Sequence, residues 1–125
     1  AAKKSRLTIN MFENVSNIIP IILKSDIALT AGGFTTYELA AMSTPSVGVA
    51  LWENQYSNIE CLSNKDALIP LYYSQGQGFD QELTKALSML VNDNNLLTDI
   101  SEKARNAVDG NGANRISQEI TKCYE

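Results

Sequence analysis

The residues best suited to hold a phosphate gather in one stretch of the chain, TAGGFTTYELAAMSTPSVGVA (30–50). Gly32 and Gly33 end the short apolar run DIALT (26–30), and a helical pattern begins with Thr35, Thr36 and Glu38. A helix entered this way leaves its first N–H groups unpaired, and its dipole adds partial positive charge beside them. That combination suits an anionic ligand, and glycine lets a pyrophosphate approach the backbone without a Cβ in the way. Neither GxGxxG nor GxxxxGK[ST] occurs, so the turn is neither the dinucleotide fingerprint nor a P-loop. A structural reading covers the same residues. Thr35-Thr36-Tyr37-Glu38 fits a capping box, with Thr35 as N-cap and Glu38 reaching back from the third helical position. Such a cap stabilises a helix by about 1 kcal/mol, and the two roles are compatible.

A second polar group follows the next apolar run. WENQ (52–55) comes directly after SVGVAL (46–51), so its side chains project into the crevice that the glycine turn faces. Ligands of open parallel sheets bind there, outside the carboxyl ends of the strands. Glu53, Asn54 and Gln55 supply donors and acceptors matched to sugar hydroxyls or a uracil edge. Their plain reading is a polar loop leading into a helix over 56–64.

The elements that position these groups follow from periodicity. LTINMF (7–12), DIALT, SVGVAL and ALIPL (67–71) read as strands. The absence of alternation favours burial on both faces, as in a parallel sheet. A helix over 16–24, capped by Asn14 or Ser16, places Ile18, Ile19, Ile22 and Leu23 on one face, with Pro20 in its early turn. Helix 35–43 is closed by Pro45, helix 56–64 turns Ile59 and Leu62 inward, and YYSQGQG (72–78) is a loop. Leu83, Ala86, Leu87, Leu90 and Val91 mark an amphipathic helix, and Leu97, Ile100, Ala104, Ala107 and Val108 mark another. DGNG (109–112) breaks the pattern, with Gly110 placed for a left-handed residue after the helix and Asn111 for the next cap. Ile116, Ile120 and Cys123 mark the last helix.

Strands alternating with helices at short spacing imply an α/β fold: a partial Rossmann-like parallel sheet, helices on both faces, and a helical C-terminus. Four strands are few for such a sheet, so the domain's first strands are expected to lie outside this sequence.

Composition removes several functions. The chain has 125 residues, 44% hydrophobic and 19% charged, which is ordinary for one globular domain. It has no histidine, so no imidazole serves as base, metal ligand or triad member. Cys61 and Cys123 lie far apart without CxxC spacing, which argues against a zinc site or a disulfide framework. Both read as core thiols on apolar helix faces. A net charge of −4 with scattered Lys and Arg argues against a nucleic-acid partner while leaving room for one nucleotide. The longest apolar run, IIPIIL (18–23), is too short to span a bilayer, so no transmembrane segment and a cytoplasmic location are expected. No acidic cluster has metal-ligand spacing, and neither metal nor cofactor is expected.

DIALTAGGFTTYELAAMSTPSVGVAL resembles the nucleotide-binding segment of GT-B-fold enzymes that use UDP-sugars. The peptidoglycan N-acetylglucosaminyltransferases carry a similar Gly-x-x-Thr-x-x-Glu helix. The resemblance implies a diphosphate at Gly32, Gly33 and Thr35, with Phe34 and Thr36 in the same nucleotide-binding turn, and ribose hydroxyls at Glu38. ENQ after the following strand and DGNGANRI (109–116) before a final helix narrow the likeness to the UDP-sugar hydrolases of pseudaminic acid synthesis and the related spore-coat polysaccharide proteins. It covers residues 7–120 or so. By this resemblance Glu53, Asn54 and Gln55 face the sugar or the uracil.

Two departures matter. Tyr37 stands where relatives often carry tryptophan. The hydrolases' water-activating histidine belongs to an N-terminal domain, and this chain contains neither. The expectation is therefore a UDP-sugar-binding half that partners an N-terminal domain and does not catalyse alone. Its reaction would be hydrolysis releasing 2,4-diacetamido-2,4,6-trideoxyaltrose. A glycosyltransferase, or a non-catalytic nucleotide-binding module, fits the same residues. Arg115 reads as a surface or interdomain side chain rather than a phosphate ligand.

Overall fold

Ser46–Ala50 (β2) is buried at every residue and forms the middle of the fold. A computed structural model describes residues 8–74 and 78–124. In it β2 pairs in parallel with Ala28–Ala31 (β1) on one side and Ile69–Tyr72 (β3) on the other, giving the order β1-β2-β3. The register sets Leu29 beside Val47 and Val47 beside Ile69, so these three share one face of the sheet. A parallel sheet covered on both faces needs apolar residues at consecutive positions, and Val47, Val49 and Ala50 supply them.

Each face has its own core. Thr35–Ala41 (α2) and Tyr56–Ser63 (α3) lie on one side, where Ala40, Ala50, Ile59, Leu62, Ala67 and Leu68 pack together. α3 sits very close to β2: a Cβ on Gly48 would fall 2.6 Å from Ile59 Cδ1. Phe79–Asn92 (α4) covers the other side, where Val47, Ala86 and Leu90 are buried with Ile100. Asn94–Ala107 (α5) joins the two layers, giving Ile100 to one core and Ala104 to the other. Ser101 Oγ of α5 also donates to the Ser43 carbonyl at 2.7 Å, fixing the turn that follows α2. α5 starts at a true side-chain cap, since Asp93 accepts from the N–H groups of Asn95 and Leu96.

The α/β class, the parallel sheet and the helices on both faces are as the sequence implies. Several local expectations are corrected. The strand expected over LTINMF is absent from its described part: from Thr8 to Phe12 the chain is irregular, and Ile9 is 83% exposed. β-forming residues make a strand only against a neighbouring strand, and none among the described residues reaches this segment. The expected helix 16–24 shrinks to one turn, Ile19–Ile22 (α1). Pro20 does occupy its first turn, but Asn17 rather than Asn14 or Ser16 accepts from the Ile19 N–H. β1 alternates in burial instead of being covered on both faces: among the described residues it has a strand on one side only, and Leu29 remains half exposed. Val91 is on the outer side of α4. Gly112–Lys122 (α6) buries no residue, and Ile116 and Ile120 lie on its exposed surface. Cys61 and Cys123 are exposed thiols rather than core residues. Residues 75–77 of the expected 72–78 loop, and Leu7 of the first expected strand, lie outside the described residues. No helix among the described residues is long and apolar enough to cross a membrane.

Candidate functional site

The chain leaves β1 through a tight turn. Gly32 N–H donates to Val49 O at 2.8 Å, prolonging the β1–β2 pairing by one residue, and Gly33 N–H donates back to Ala31 O at 2.8 Å. Gly32 is buried, and a Cβ there would lie 2.9 Å from both Gln55 Cβ and Ile59 Cγ1. Its lack of a side chain is therefore required by the packing of α3. Gly33 differs: a Cβ would meet nothing within 4 Å, so its outer side is open.

α2 opens without the expected capping box. Phe34 is the N-cap residue and is already in the right-handed helical region, with φ −64° and ψ −23°. Side-chain capping needs an extended backbone at that position, so Thr35 becomes the first helical residue and Glu38 does not reach back. The first turn is closed by Thr36 instead. Its buried hydroxyl donates to Gly33 O at 2.6 Å, and its N–H points to the same carbonyl at 3.2 Å. The N–H groups of Phe34 and Thr35 find no acceptor among the described residues. Phe34 itself is 83% exposed, and the exposed Glu38 carboxylate has no partner among the described residues.

The neighbouring strand end brings the second group. Glu53–Gln55 form one 3-10 turn between β2 and α3. Gln55 Oε1 accepts from Leu51 N–H at 2.9 Å, so this side chain closes the loop on itself and packs against Gly32. Glu53 and Asn54 are exposed. Trp52 just before them is 70% exposed. The glycine turn and the ENQ turn thus meet through Gly32 and Gln55, with Phe34, Glu38, Glu53 and Asn54 presented outward.

The third motif arrives from α5. Tyr37, one turn into α2, lines a cavity of about 610 Å³ with Asn106, Asp109, Gly110 and Arg115. Gly110 adopts φ +75°, the left-handed turn expected of it, two residues beyond the helix cap at Val108. Asn111 occupies the N-cap position of α6 but makes no side-chain cap bond. Arg115 is engaged in a two-pronged ion pair with Asp109, at 2.7 and 3.0 Å. The guanidinium, helped by the Asn111 N–H, holds the Asp109 carboxyl at about 2, well below its ordinary 3.8. Partial burial pushes the Tyr37 phenol up, and the neighbouring Cys61 thiol adds to the shift.

One residue of this region carries no sequence motif. Asn58 of α3 donates through Nδ2 to Gly32 O at 2.9 Å and accepts from the Tyr37 hydroxyl through Oδ1 at 3.2 Å. Its sole sequence signal is a position four residues before Leu62, on the inward face of α3. Among the described residues no group of three or more Cys, Asp or Glu side chains is placed to hold a metal ion. Compared with protein-family models, with curated proteins and with solved structures, the chain finds no match.

Proposed function

We propose that this chain binds the UDP portion of a UDP-sugar and forms the nucleotide-binding part of a hydrolase that releases a diacetamido-trideoxyhexose. The observation that carries the reading is convergence. The glycine turn and the ENQ turn are separated in sequence, yet they meet through Gly32 and Gln55 just beyond the carboxyl ends of β1 and β2, and the DGNG turn shares a cavity with Tyr37, one turn into α2. Ligand crevices of parallel α/β sheets lie at that end. The diphosphate would lie against Gly33 and the unpaired N–H groups of Phe34 and Thr35, donors that favour negative charge without being protonated or reorganised. Glu38 would accept from the ribose hydroxyls, and Glu53 and Asn54 would meet the sugar or the base. Gln55 Oε1 and the Thr36 hydroxyl are already bonded within the protein, so these two groups shape the turn from behind, while the Gln55 Nε2 amide would meet the sugar or the base with Glu53 and Asn54.

In the reaction, water attacks the anomeric carbon, the bond to the diphosphate oxygen breaks, and UDP leaves with the bonding electron pair. These residues stabilise the departing charge. A chain without histidine has no imidazole to take the proton from water, and that base would come from an N-terminal partner domain. UDP is expected to raise the thermal midpoint more than CDP or GDP at equal concentration, because a ligand that binds only the folded state stabilises it. An equal response to all three nucleotides, or none, overturns the reading.

A further inference from the structure

We infer that Asn58 is a positioning residue for the phosphate-facing turn, an inference that rests on the nucleotide reading above. Two successive glycines give this turn an unusually large choice of backbone conformations, and ordering it during binding would weaken affinity. The Asn58 side chain removes that choice. By donating to Gly32 O it fixes the plane of the Gly32–Gly33 peptide, because C=O and N–H lie on opposite sides of one rigid unit. With the carbonyl turned toward α3, the Gly33 N–H must point the other way, where it meets Ala31 O. The next two N–H groups, of Phe34 and Thr35, are then the ones left for a ligand. The Tyr37 hydroxyl holds the far side of the same amide, so α2, α3 and the turn move as one body. Gln55 and Ile59 press on Gly32 from the same direction and keep the carbonyl within reach.

The arrangement separates Asn58 from the groups that would touch ligand. Both of its polar functions are used inside the protein, at 2.9 and 3.2 Å, and it acts through the backbone. Asn58→Asp keeps the size and the acceptor for Tyr37 but replaces the donor facing Gly32 O with a carboxylate oxygen that repels it.

The experiment measures amide hydrogen exchange at Gly33 and Thr36, together with affinities for UDP and for uridine, in wild type, Asn58→Asp, Asn58→Ala and Tyr37→Phe. The expected result for both Asn58 variants is faster exchange at those two amides while the amides of α3 keep their rates. UDP affinity should fall roughly tenfold, the scale of one lost hydrogen bond, with uridine affinity unchanged. Tyr37→Phe should move the same readouts less. Wild-type exchange at the turn in the Asn58 variants overturns the inference. So does an equal loss for UDP and uridine, or faster exchange spread through α3, since either means that Asn58 supports only the fold. Failure of wild type to bind UDP, with the turn still loosened by Asn58→Asp, removes the nucleotide reading and keeps the clamp on the turn.

Discussion

Gly32 and Gly33 are neighbours with opposite requirements. An added Cβ at Gly32 meets Gln55 and Ile59 at 2.9 Å, whereas one at Gly33 meets nothing. Gly32→Ala should therefore destabilise the protein by roughly 1–3 kcal/mol, the usual range for overpacking, as measured by chemical denaturation. Gly33→Ala should leave the denaturation midpoint near wild type and weaken UDP, because its methyl group occupies the open side of the turn. Glu38 gives a related separation. With no capping box to lose, Glu38→Ala should alter stability by no more than about 0.5 kcal/mol, as exposed positions do, yet reduce UDP affinity. A drop in stability without a change in affinity would return Glu38 to a structural role. The sequence pattern led to a capping box at Thr35 and Glu38, which the helical backbone at Phe34 rules out. Whether Thr35 or Thr36 closes the first turn depends on one φ/ψ pair at Phe34, which residue types do not determine. Asn58 was invisible for another reason: its partner Gly32 lies 26 residues away.

At the level of elements, strong periodicity translated well and weak or isolated patterns did not. α3, α4 and α5 form where apolar residues repeat at helical spacing, and Ile59, Leu62, Ala86, Leu90, Ile100 and Ala104 are buried as that spacing requires. Ile59 lies against both Gly32 and Gly48, so Ile59→Ala should cost about 2–5 kcal/mol and be visible in the melting temperature. α6 has an equally regular stripe, but nothing in a stripe says what will cover it. Ile116→Ser with Ile120→Ser should leave the melting temperature of this chain nearly unchanged, since neither residue is buried. The start of α6 is pH-sensitive in a definite sense. Asp109 has a depressed folded value of about 2 against 3.8, so its ion pair with Arg115 contributes in full above the ordinary value. That contribution is lost as pH falls from 3.8 through about 2, and the effect is small because both partners are solvent-exposed. The exchange protection of the Asn111 and Arg115 amides, taken relative to the intrinsic rate at each pH, should fall across that window in wild type and stay constant in Asp109→Asn.

For the molecule as a whole, the class of fold was legible because apolar runs that fail to alternate, set between helices at short spacing, favour a parallel sheet. The number of strands was not. LTINMF has suitable residue types, but pairing is a property of two strands and cannot be read from one. β1 likewise looked like an interior strand and, among the described residues, pairs on one side only. What the whole arrangement achieves is to bring the glycine and ENQ turns together at the start of α2, with the DGNG turn beside Tyr37 of the same helix. The most direct measurement of that claim is a titration of the isotopically labelled chain with UDP, followed by NMR amide shifts. Saturable changes are expected at the backbone amides of Gly33, Phe34 and Thr35 and at the side-chain amide of Asn54. A spectrum unchanged by UDP, or one that changes only at residues remote from this turn, such as those around Lys103, would contradict that claim.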